Sequence, residues 1–464
     1  MKFNNQLLLK RILTGALLLF FSIGFWGCTK SKADKLPQPH KVSNVKHPEW
    51  ARNANIYEVN IRQYTPEGTF KAFQKQLPRL KKMGVKILWL MPINPIGEKN
   101  RKGPLGSYYS VKNYKAVNPN YGTMQDFKDL VKAAHDQGMK VIIDWVANHT
   151  SWDNVWTKEH PDWYNHDKNG NFVPPVKDWS DVIDLNYDNK QMRNAMIDAM
   201  KYWINEANID GYRCDYAMGV PNDFWDRARK ELDQIKPVFM LAESELPSQQ
   251  KDAFDMTYAW QFHHLITAIH KGKKSLSDID TYMAEEDTEF APNDYRMYFT
   301  TNHDENSWQG SDTDMFGKNF QNFAVLAATI DGMPLVYSGQ ESGLDYQLAF
   351  FKKDTIRWDH YKYQKFYSTL LHLNTNNPAL WNGKAGGDFQ RVKTDPTQKI
   401  YAYKRIKGDR EVFVVLNFGD TEQKISLTNW SDPQEYTNVF TNKTMTIGGN
   451  PITVAAHDFY VFEK

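Results

Sequence analysis

The feature that most constrains the fold is a regular alternation of short β-rich segments with longer helical ones, beginning near residue 55. Eight segments are predicted to be strands because each is short, largely apolar and rich in β-branched or aromatic residues. They are NIYEVNI (55–61), VKILWLM (85–91), KVIIDWV (140–146), IDGYRCD (209–215), PVFMLAE (237–243), DMTYAW (255–260), YRMYFTT (295–301) and PLVYSG (334–339). Eight strands that alternate with helices predict a closed (β/α)₈ barrel of the TIM type.

Capping residues mark where helices begin and end between these strands. Thr123 can cap the segment TMQDFKDLVKAAHDQG, and Gly138 ends it before the third strand. The segment NKQMRNAMIDAMKYWINEAN leads into the fourth strand in the same way. Active sites of such barrels lie at the carboxyl ends of the strands, so functional side chains are expected there.

Two parts of the chain depart from the alternation. Residues 149–188, after the third strand, are too many for a simple loop and predict a small excursion, domain B, over the barrel mouth. Beyond about residue 384 the pattern changes to alternating β segments such as KIYAYKRI and EVFVVLNF. We therefore predict a catalytic barrel over residues 46–384 and an antiparallel β-sandwich domain over residues 385–464.

The N-terminus has the pattern of an export signal. A basic start and an apolar run end at Cys28, and a polar, proline-containing tether follows over residues 28–45. This resembles a bacterial lipoprotein signal, in which residues 1–27 are removed and Cys28 is lipidated. An ordinary signal or an uncleaved anchor is the alternative, because Phe25 and Trp26 are bulky. We expect an exported protein, held by a lipid anchor on either face of the outer membrane, with Cys214 as its only thiol.

Composition limits the partners. The formal charge is +2, and the chain has neither basic clusters nor glycine-rich phosphate loops, so nothing favours nucleic acid. Aromatic residues make up 14% of the chain, and flat rings with polar edges suit the faces of sugars. Additional aromatic core explains the same composition equally well. The composition therefore favours an uncharged partner but does not identify its chemical class.

Charged and polar residues cluster at four predicted strand ends. They are Asp144, Asn148 and His149 after the third strand, Arg213 and Asp215 at the fourth, Glu243 at the fifth, and His303 and Asp304 after the seventh. An unpaired buried carboxylate is costly, so these groups are expected to line one polar mouth. Arg213 and Asp215 point to the same face of a strand, and a cation there favours the ionised carboxylate. Taken alone, a structural ion pair explains that spacing equally well.

Together these segments resemble the four signature regions of the α-amylase family of glycoside hydrolases, family 13. GSYYSVKNYKAVNPNYGT (106–123), VIDLN (182–186) and DGMPLVYSGQE (331–341) are similar to further segments of that family. The likeness spans roughly residues 50–464, and its specificity lies in the joint occurrence of the motifs in family order. It implies an enzyme that acts on α-1,4-linked glucans of starch or on maltooligosaccharides.

The resemblance also implies a role for each matching residue. Asp215 would be the nucleophile of a retaining double displacement, Glu243 the general acid and then base, and Asp304 a third carboxylate that binds sugar hydroxyls. The implied substrate contacts are Arg213, Asp144, His149, His303 and, as the aromatic platform under the sugar, Tyr109, with Tyr108 as its competitor. Burial after the apolar run VFMLA is expected to raise the pKa of Glu243. The two histidines could instead be hydrogen-bonded rim residues.

One departure from the family concerns calcium. Many members follow the nucleophile with a Lys-His pair that contributes to substrate binding and calcium ligation, whereas this chain continues YAMGVP. Asn148 remains a candidate calcium ligand. The carboxylates of the excursion leave enough oxygen ligands for a site, and they are Asp153, Asp162, Asp167, Asp178 and Asp181.

Three functions stay open at this point. The first is hydrolysis of α-1,4-glucosidic bonds, and the second is transglycosylation, in which a sugar hydroxyl instead of water attacks the intermediate. The third is a non-catalytic, lipid-anchored glycan-binding protein of the cell envelope. Retention of Asp215, Glu243 and Asp304 together argues against the third.

Overall fold

The barrel predicted from the strand pattern is present in the computed structural model, which describes residues 42–430 and 432–464. Its first ten strands are β1 (Ile56–Val59), β2 (Ile87–Leu90), β3 (Lys140–Val146), β4 (His149–Ser151), β5 (Val182–Asp184), β6 (Gly211–Asp215), β7 (Phe239–Ala242), β8 (Met256–Tyr258), β9 (Tyr295–Tyr298) and β10 (Met333–Tyr337). All but β4 and β5 close into a parallel barrel in the order β1-β2-β3-β6-β7-β8-β9-β10. Each predicted segment overlaps one barrel strand, so the TIM barrel is confirmed. The predicted signal peptide, Cys28 and most of the tether lie outside the described residues.

The helix before β3 begins and ends where its predicted capping residues lie. The α-helices are Ile61–Tyr64, Phe70–Gln74, Leu77–Met83, Met124–Asp136, Trp156–Glu159, Lys190–Ala207, Asn222–Asp233, Trp260–His270, Ser277–Glu289, His303–Trp308, Asp312–Phe316, Phe320–Thr329 and Gln364–Asn376. Thr123 accepts a hydrogen bond from the Asp126 N–H in a capping box, as its sequence position predicts. Gly138 has a φ of 74°, which suits the turn from that helix into β3. Within the described ranges, no helix is both long enough and apolar enough to cross a membrane.

The predicted excursion lies between β3 and β6. Its strands β4 and β5 pair antiparallel, with His149 opposite Asp184. Trp163 is buried in the main apolar core, and Trp152 and Trp156 pack partly against it. Because β4 begins three residues after β3 ends, the pairing holds His149 beside the barrel mouth.

The C-terminal strands form two sheets, as expected for the predicted β-sandwich. They are β11 (Asp388–Val392), β12 (Thr394–Asp395), β13 (Ile400–Lys407), β14 (Arg410–Asn417), β15 (Gln423–Leu427), β16 (Gln434–Asn438), β17 (Thr444–Ile447), β18 (Ile452–Val454) and β19 (Phe459–Glu463). One antiparallel sheet has the order β11-β13-β14-β19-β16-β17 and the other the order β12-β15-β18. The exact boundary at residue 384 stays a prediction.

The barrel and the C-terminal domain share buried contacts. The side chain of Arg405, on β13, is fully buried, and its Nη1 donates to the carbonyl of Ile330 at 2.6 Å. Its Nη2 lies 2.8 Å from Asp331 Oδ1. Leu416 and Tyr403 of the C-terminal domain belong to the same apolar core as the outer layer of the barrel. The two domains therefore pack on one another through desolvated surface.

Candidate active site

Arg213 lies at the centre of the polar side chains at the carboxyl end of the barrel, and it is fully buried. Its Nη1 donates to Asp144 Oδ1 at 2.8 Å and to Asp215 Oδ1 at 2.9 Å. Its Nη2 is 3.0 Å from Glu243 Oε2, and its Nε donates to the hydroxyl of Tyr258 at 3.1 Å. Asp144 on β3 stands directly opposite Arg213 on the neighbouring strand β6. One guanidinium thus contacts three carboxylates, two more than the predicted pair of Arg213 and Asp215 contains.

Burial has the largest effect on the pKa values of Asp215 and Glu243, two of the carboxyl groups that face the cleft. It raises the pKa of Asp215, and Arg213 pulls that pKa downward, as predicted, without cancelling the effect of burial. Burial also raises the pKa of Glu243, the direction expected from the apolar run before it. The N–H of Tyr216 donates to Glu243 Oε2 at 2.7 Å and fixes this carboxyl group. A carboxyl group with a raised pKa suits a proton donor.

A second set of contacts joins Tyr109 to His303. The Tyr109 hydroxyl is 2.7 Å from His303 Nε2 and 3.1 Å from Asp144 Oδ2. His303 Nε2 is also 3.2 Å from Asp304 Oδ2, and its Nδ1 is 2.5 Å from Glu58 Oε1. Burial opposes a charge on His303, but the two neighbouring carboxylates outweigh it and raise the pKa of His303 to about 9. His303 is therefore a cation at neutral pH.

Tyr109 and Tyr108 occupy different environments. Tyr109 lines the cleft, and its ring stacks on that of His303 with centroids 5.5 Å apart. Tyr108 points elsewhere, because its hydroxyl accepts a hydrogen bond from Asn60 and the Arg62 guanidinium lies 3.9 Å from its ring centroid. The geometry therefore favours Tyr109 over its neighbour as the aromatic platform.

His149 borders the same cleft from the start of the excursion. Burial lowers the pKa of His149 to about 4, so its imidazole is neutral at pH 7. The ring of Trp179 stands edge-on to His149 at 5.5 Å and to Tyr216 at 5.3 Å. Of the excursion's tryptophans, Trp179 thus faces the cleft, whereas Trp163 is core.

The candidate calcium ligands do not converge in the part of the chain that the structure describes. No three His, Cys, Asp or Glu side chains there are grouped as a metal site. Asp153 accepts hydrogen bonds from a main-chain N–H, Asp167 from its own turn, and Asp181 pairs with a lysine. Asn148 Nδ2 is 3.3 Å from His149 Nδ1. These side chains do not fit a calcium site as they stand, and we derive no step through calcium.

The groups line one cavity of about 420 Å³ at the mouth of the barrel. Six predicted residues face it, and they are Tyr109, His149, Asp215, Glu243, His303 and Asp304. Arg213 and Asp144 lie fully buried and reach these side chains by hydrogen bonds. The cavity thus offers two carboxyl groups in reach of one cation, a third carboxylate and a flat aromatic ring, a set that can bind and cleave a glycoside.

Several residues at the site were not singled out from the sequence. Glu58, in the middle of β1, is fully buried and holds His303, and Trp89 Nε1 donates to Asp144 Oδ2 at 3.2 Å. Trp308 and Phe350 line the cavity as well. A signal existed for Glu58 alone, since a single acid inside the apolar strand NIYEVNI needs a buried partner.

The chain is similar to known proteins over most of its length. Residues 36–175 and 163–415 match the family described as alpha amylase, catalytic domain, and residues 389–461 match the maltogenic amylase, C-terminal domain. The solved structure of AmyB from Thermotoga neapolitana, a noncanonic maltogenic alpha-amylase, is 31% identical with a TM-score of 0.81, and the match covers 89% of this chain and 99% of that one. An alpha-amylase from Lactobacillus plantarum is 32% identical with a TM-score of 0.80 and the same two coverages.

A curated relative extends the comparison. Alpha-amylase MalA of Haloarcula japonica is 27% identical over 406 residues, which cover 83% of this chain and 58% of that protein. The match of the catalytic-domain family, however, runs through most of the chain and includes every residue of the cleft. The chain therefore belongs to the alpha-amylase catalytic-domain family and is an enzyme of the α-amylase type.

Proposed function

We propose that this enzyme hydrolyses α-1,4-glucosidic bonds of starch-derived glucans or maltooligosaccharides with retention of configuration. The observation that carries the proposal is the placement of Asp215 and Glu243 on two nitrogens of one guanidinium, at 2.9 and 3.0 Å. Two carboxyl groups held this close suit a retaining glycosidase, in which they lie about 5 to 5.5 Å apart. Family membership supports the substrate class.

The residues divide the reaction between them. In the first step Asp215 attacks the anomeric carbon, the bond to the leaving sugar breaks, and Glu243 gives its proton to the leaving oxygen. In the second step Glu243 takes a proton from water, the water oxygen attacks the anomeric carbon, and the ester to Asp215 breaks. Tyr109 lies under the reacting sugar, and Asp304 accepts hydrogen bonds from its hydroxyls. Both carboxyl groups return to their starting protonation.

The test is a time course of the protein with maltoheptaose, with products resolved by length and anomer. Shorter products that appear first as α-anomers support retaining hydrolysis. Products longer than the substrate would instead support transglycosylation, in which a sugar hydroxyl replaces the water. If maltoheptaose binds and stays intact, the proposed linkage is wrong.

Replacing Glu243 by glutamine tests the proton donor. We expect kcat on maltoheptaose to fall by about 10²- to 10⁴-fold, the usual contribution of general acid catalysis. The first turnover of α-maltosyl fluoride should fall far less, because fluoride leaves without a proton. Glu245→Gln is the matched control, since Glu245 lies two residues further on and accepts a main-chain hydrogen bond outside the cleft. Equal losses on both substrates would remove Glu243 from this role.

The raised pKa values of Glu243 and Asp215 also predict how the rate depends on pH. Because burial raises the pKa of Glu243, the wild-type rate should decline only above the ordinary carboxyl range, as Glu243 loses its proton. The raised pKa of Asp215 should likewise move the acidic limb upward, since the nucleophile must first lose its proton. In the Glu243→Gln variant the basic limb should disappear.

We further propose export and lipid attachment at Cys28, supported by the apolar run that ends there. Cells that express the full chain should incorporate labelled palmitate into the wild type and not into Cys28→Ser. The wild type should also sediment with membranes. Equal labelling of the two would contradict the proposal.

A further inference from the structure

A loop on the cleft side of the barrel is tied to the excursion. We name residues 97–106, which lie between β2 and Tyr109, the bridging loop. Lys102 Nζ donates to the carbonyl of Asp178 at 2.8 Å and lies 3.2 Å from Asp181 Oδ1. A main-chain N–H of the bridging loop also donates to the Asp153 carboxylate at 3.0 Å. Lys102 and Asp181 both line the catalytic cavity, so this contact forms part of its wall.

The other end of the bridging loop is fixed to the segment after β10. The Leu105 N–H donates to the carbonyl of Phe351 at 3.0 Å. Gly103 packs directly against the same residue, since a Cβ there would stand 2.6 Å from Phe351 Cβ. Arg62 donates hydrogen bonds to main-chain carbonyls of both segments, including that of Phe350 at 3.0 Å. The bridging loop therefore spans the gap between the excursion and the segment after β10, with both ends bonded.

The position of the loop relative to the reacting bond follows from the aromatic rings. The ring of Phe350 lies nearly parallel to that of Tyr109 at 6.4 Å, and the ring of Trp308 lies 5.5 Å from Phe350. These rings continue from the platform of the reacting sugar. Glu243, which would protonate the leaving sugar, lies near Nη2 of Arg213. The other terminal nitrogen, Nη1, donates to Asp144, which in turn accepts a hydrogen bond from Tyr109.

The sugar attached to Asp215 through its anomeric carbon continues, through its 4-hydroxyl, toward the non-reducing end of the glucan. Phe350, Trp308 and Phe351 line the cavity, and Trp308 is 53% exposed. A glucan that extends over Phe350 and Trp308 would then meet Phe351 and the bridging loop. A longer glucan could pass the bridging loop only if the loop broke its hydrogen bonds to the excursion and to the segment after β10.

We propose that the bridging loop closes the cleft beyond Trp308, so that the enzyme takes glucans by their non-reducing ends and releases short products. Lys102 is the specificity-determining residue, since its ammonium group fills the space between the loop and the excursion. The inference rests on the proposed glycosidase function. It goes beyond that function because it excludes cleavage in the interior of a glucan whose non-reducing end cannot enter the closed cleft.

The test compares two aryl maltoheptaosides, one with a free non-reducing end and one whose terminal glucose carries a 4,6-ethylidene group. The full-length protein should cleave the blocked substrate with a kcat/KM at least about tenfold lower, because a closed pocket rejects the added carbons. Equal cleavage of both would overturn the inference and leave the proposed function standing. If neither substrate is cleaved, the proposed function fails, and the inference fails with it.

Variants then assign the closure to Lys102. Lys102→Ala should bring the ratio of the two kcat/KM values closer to one, because it leaves a gap beside Asp181. Lys168→Ala, at an exposed lysine of the excursion turn, is the matched control and should keep the wild-type ratio. An unchanged ratio in Lys102→Ala, with the variant folded as judged by circular dichroism, would overturn the role of Lys102.

Discussion

Replacing Asp215 by asparagine is expected to lower kcat on maltoheptaose by about four orders of magnitude or more, as loss of a group in the covalent step does in other enzymes. The amide is too weak a nucleophile to attack the anomeric carbon. The variant should keep its fold, because asparagine has nearly the same shape and burying an amide costs less than burying a carboxylate. Turnover near the wild-type rate would contradict the assignment.

Two controls separate a nucleophile from a structural carboxylate. Asp188→Asn, at an exposed position outside the cleft, should leave turnover unchanged. Asp215→Ala with added azide should convert α-maltosyl fluoride into a β-configured maltosyl azide, because azide enters the space that the carboxylate vacates. Failure of azide to give that product, in a folded variant that binds maltooligosaccharide, would count against a covalent role.

Replacing Arg213 by leucine is expected to lower the free energy of unfolding by about 3 to 5 kcal/mol, the usual cost of leaving a buried charge without its partner. Asp144 is fully buried and Asp215 nearly so, and Arg213 is the guanidinium bonded to both. Urea unfolding followed by tryptophan fluorescence measures the loss. Arg227→Leu breaks a half-exposed ion pair with Glu231 and should cost less than about 1 kcal/mol.

The same variant should also respond to pH in the opposite sense from ordinary acid denaturation. Burial already raises the pKa of Asp144, and Arg213 opposes that rise. Without the cation, the folded protein holds protons on these carboxyl groups at pH values where the unfolded chain has lost them. Stability then falls as pH rises through that interval and improves as pH falls. Equal stability of Arg213→Leu at pH 5 and pH 8 would contradict this account.

The barrel could be predicted from the sequence because each strand is a short apolar run bounded by a helix signal. Even β8, with three residues, lies in a predicted segment. The polar residues of the cleft were found for a related reason, since they follow apolar strands whose carboxyl ends meet at one mouth. In the C-terminal domain the long strands β13 and β14 were predicted. The half-exposed strands β15 and β17 were missed because their apolar residues are few.

Residues whose role depends on distant packing could not be predicted. Glu58 and His303 are 245 positions apart in the chain, and closure of the barrel brings them within 2.5 Å. The tie from Lys102 to Asp181 depends on where the excursion settles, which no local pattern encodes. Phe350 is one of 26 phenylalanines, and only tertiary structure shows which of them line the cleft. The candidate calcium ligands were chosen by residue type, and three of them, Asp153, Asp167 and Asp181, contact other groups in the described fold.

The buried contact of Arg405 with the barrel restricts replacement of the C-terminal domain by another one. A guanidinium that is fully desolvated between two domains must find its carbonyl and carboxylate partners on the other side, or remain unpaired at a cost of several kcal/mol. A foreign C-terminal domain grafted onto this barrel would lack that match, and a barrel cut free of its own would present Ile330 and its apolar neighbours to water. Exchange of the C-terminal domain by recombination therefore requires compensating changes on both sides of this contact, so we expect the two domains to be inherited together.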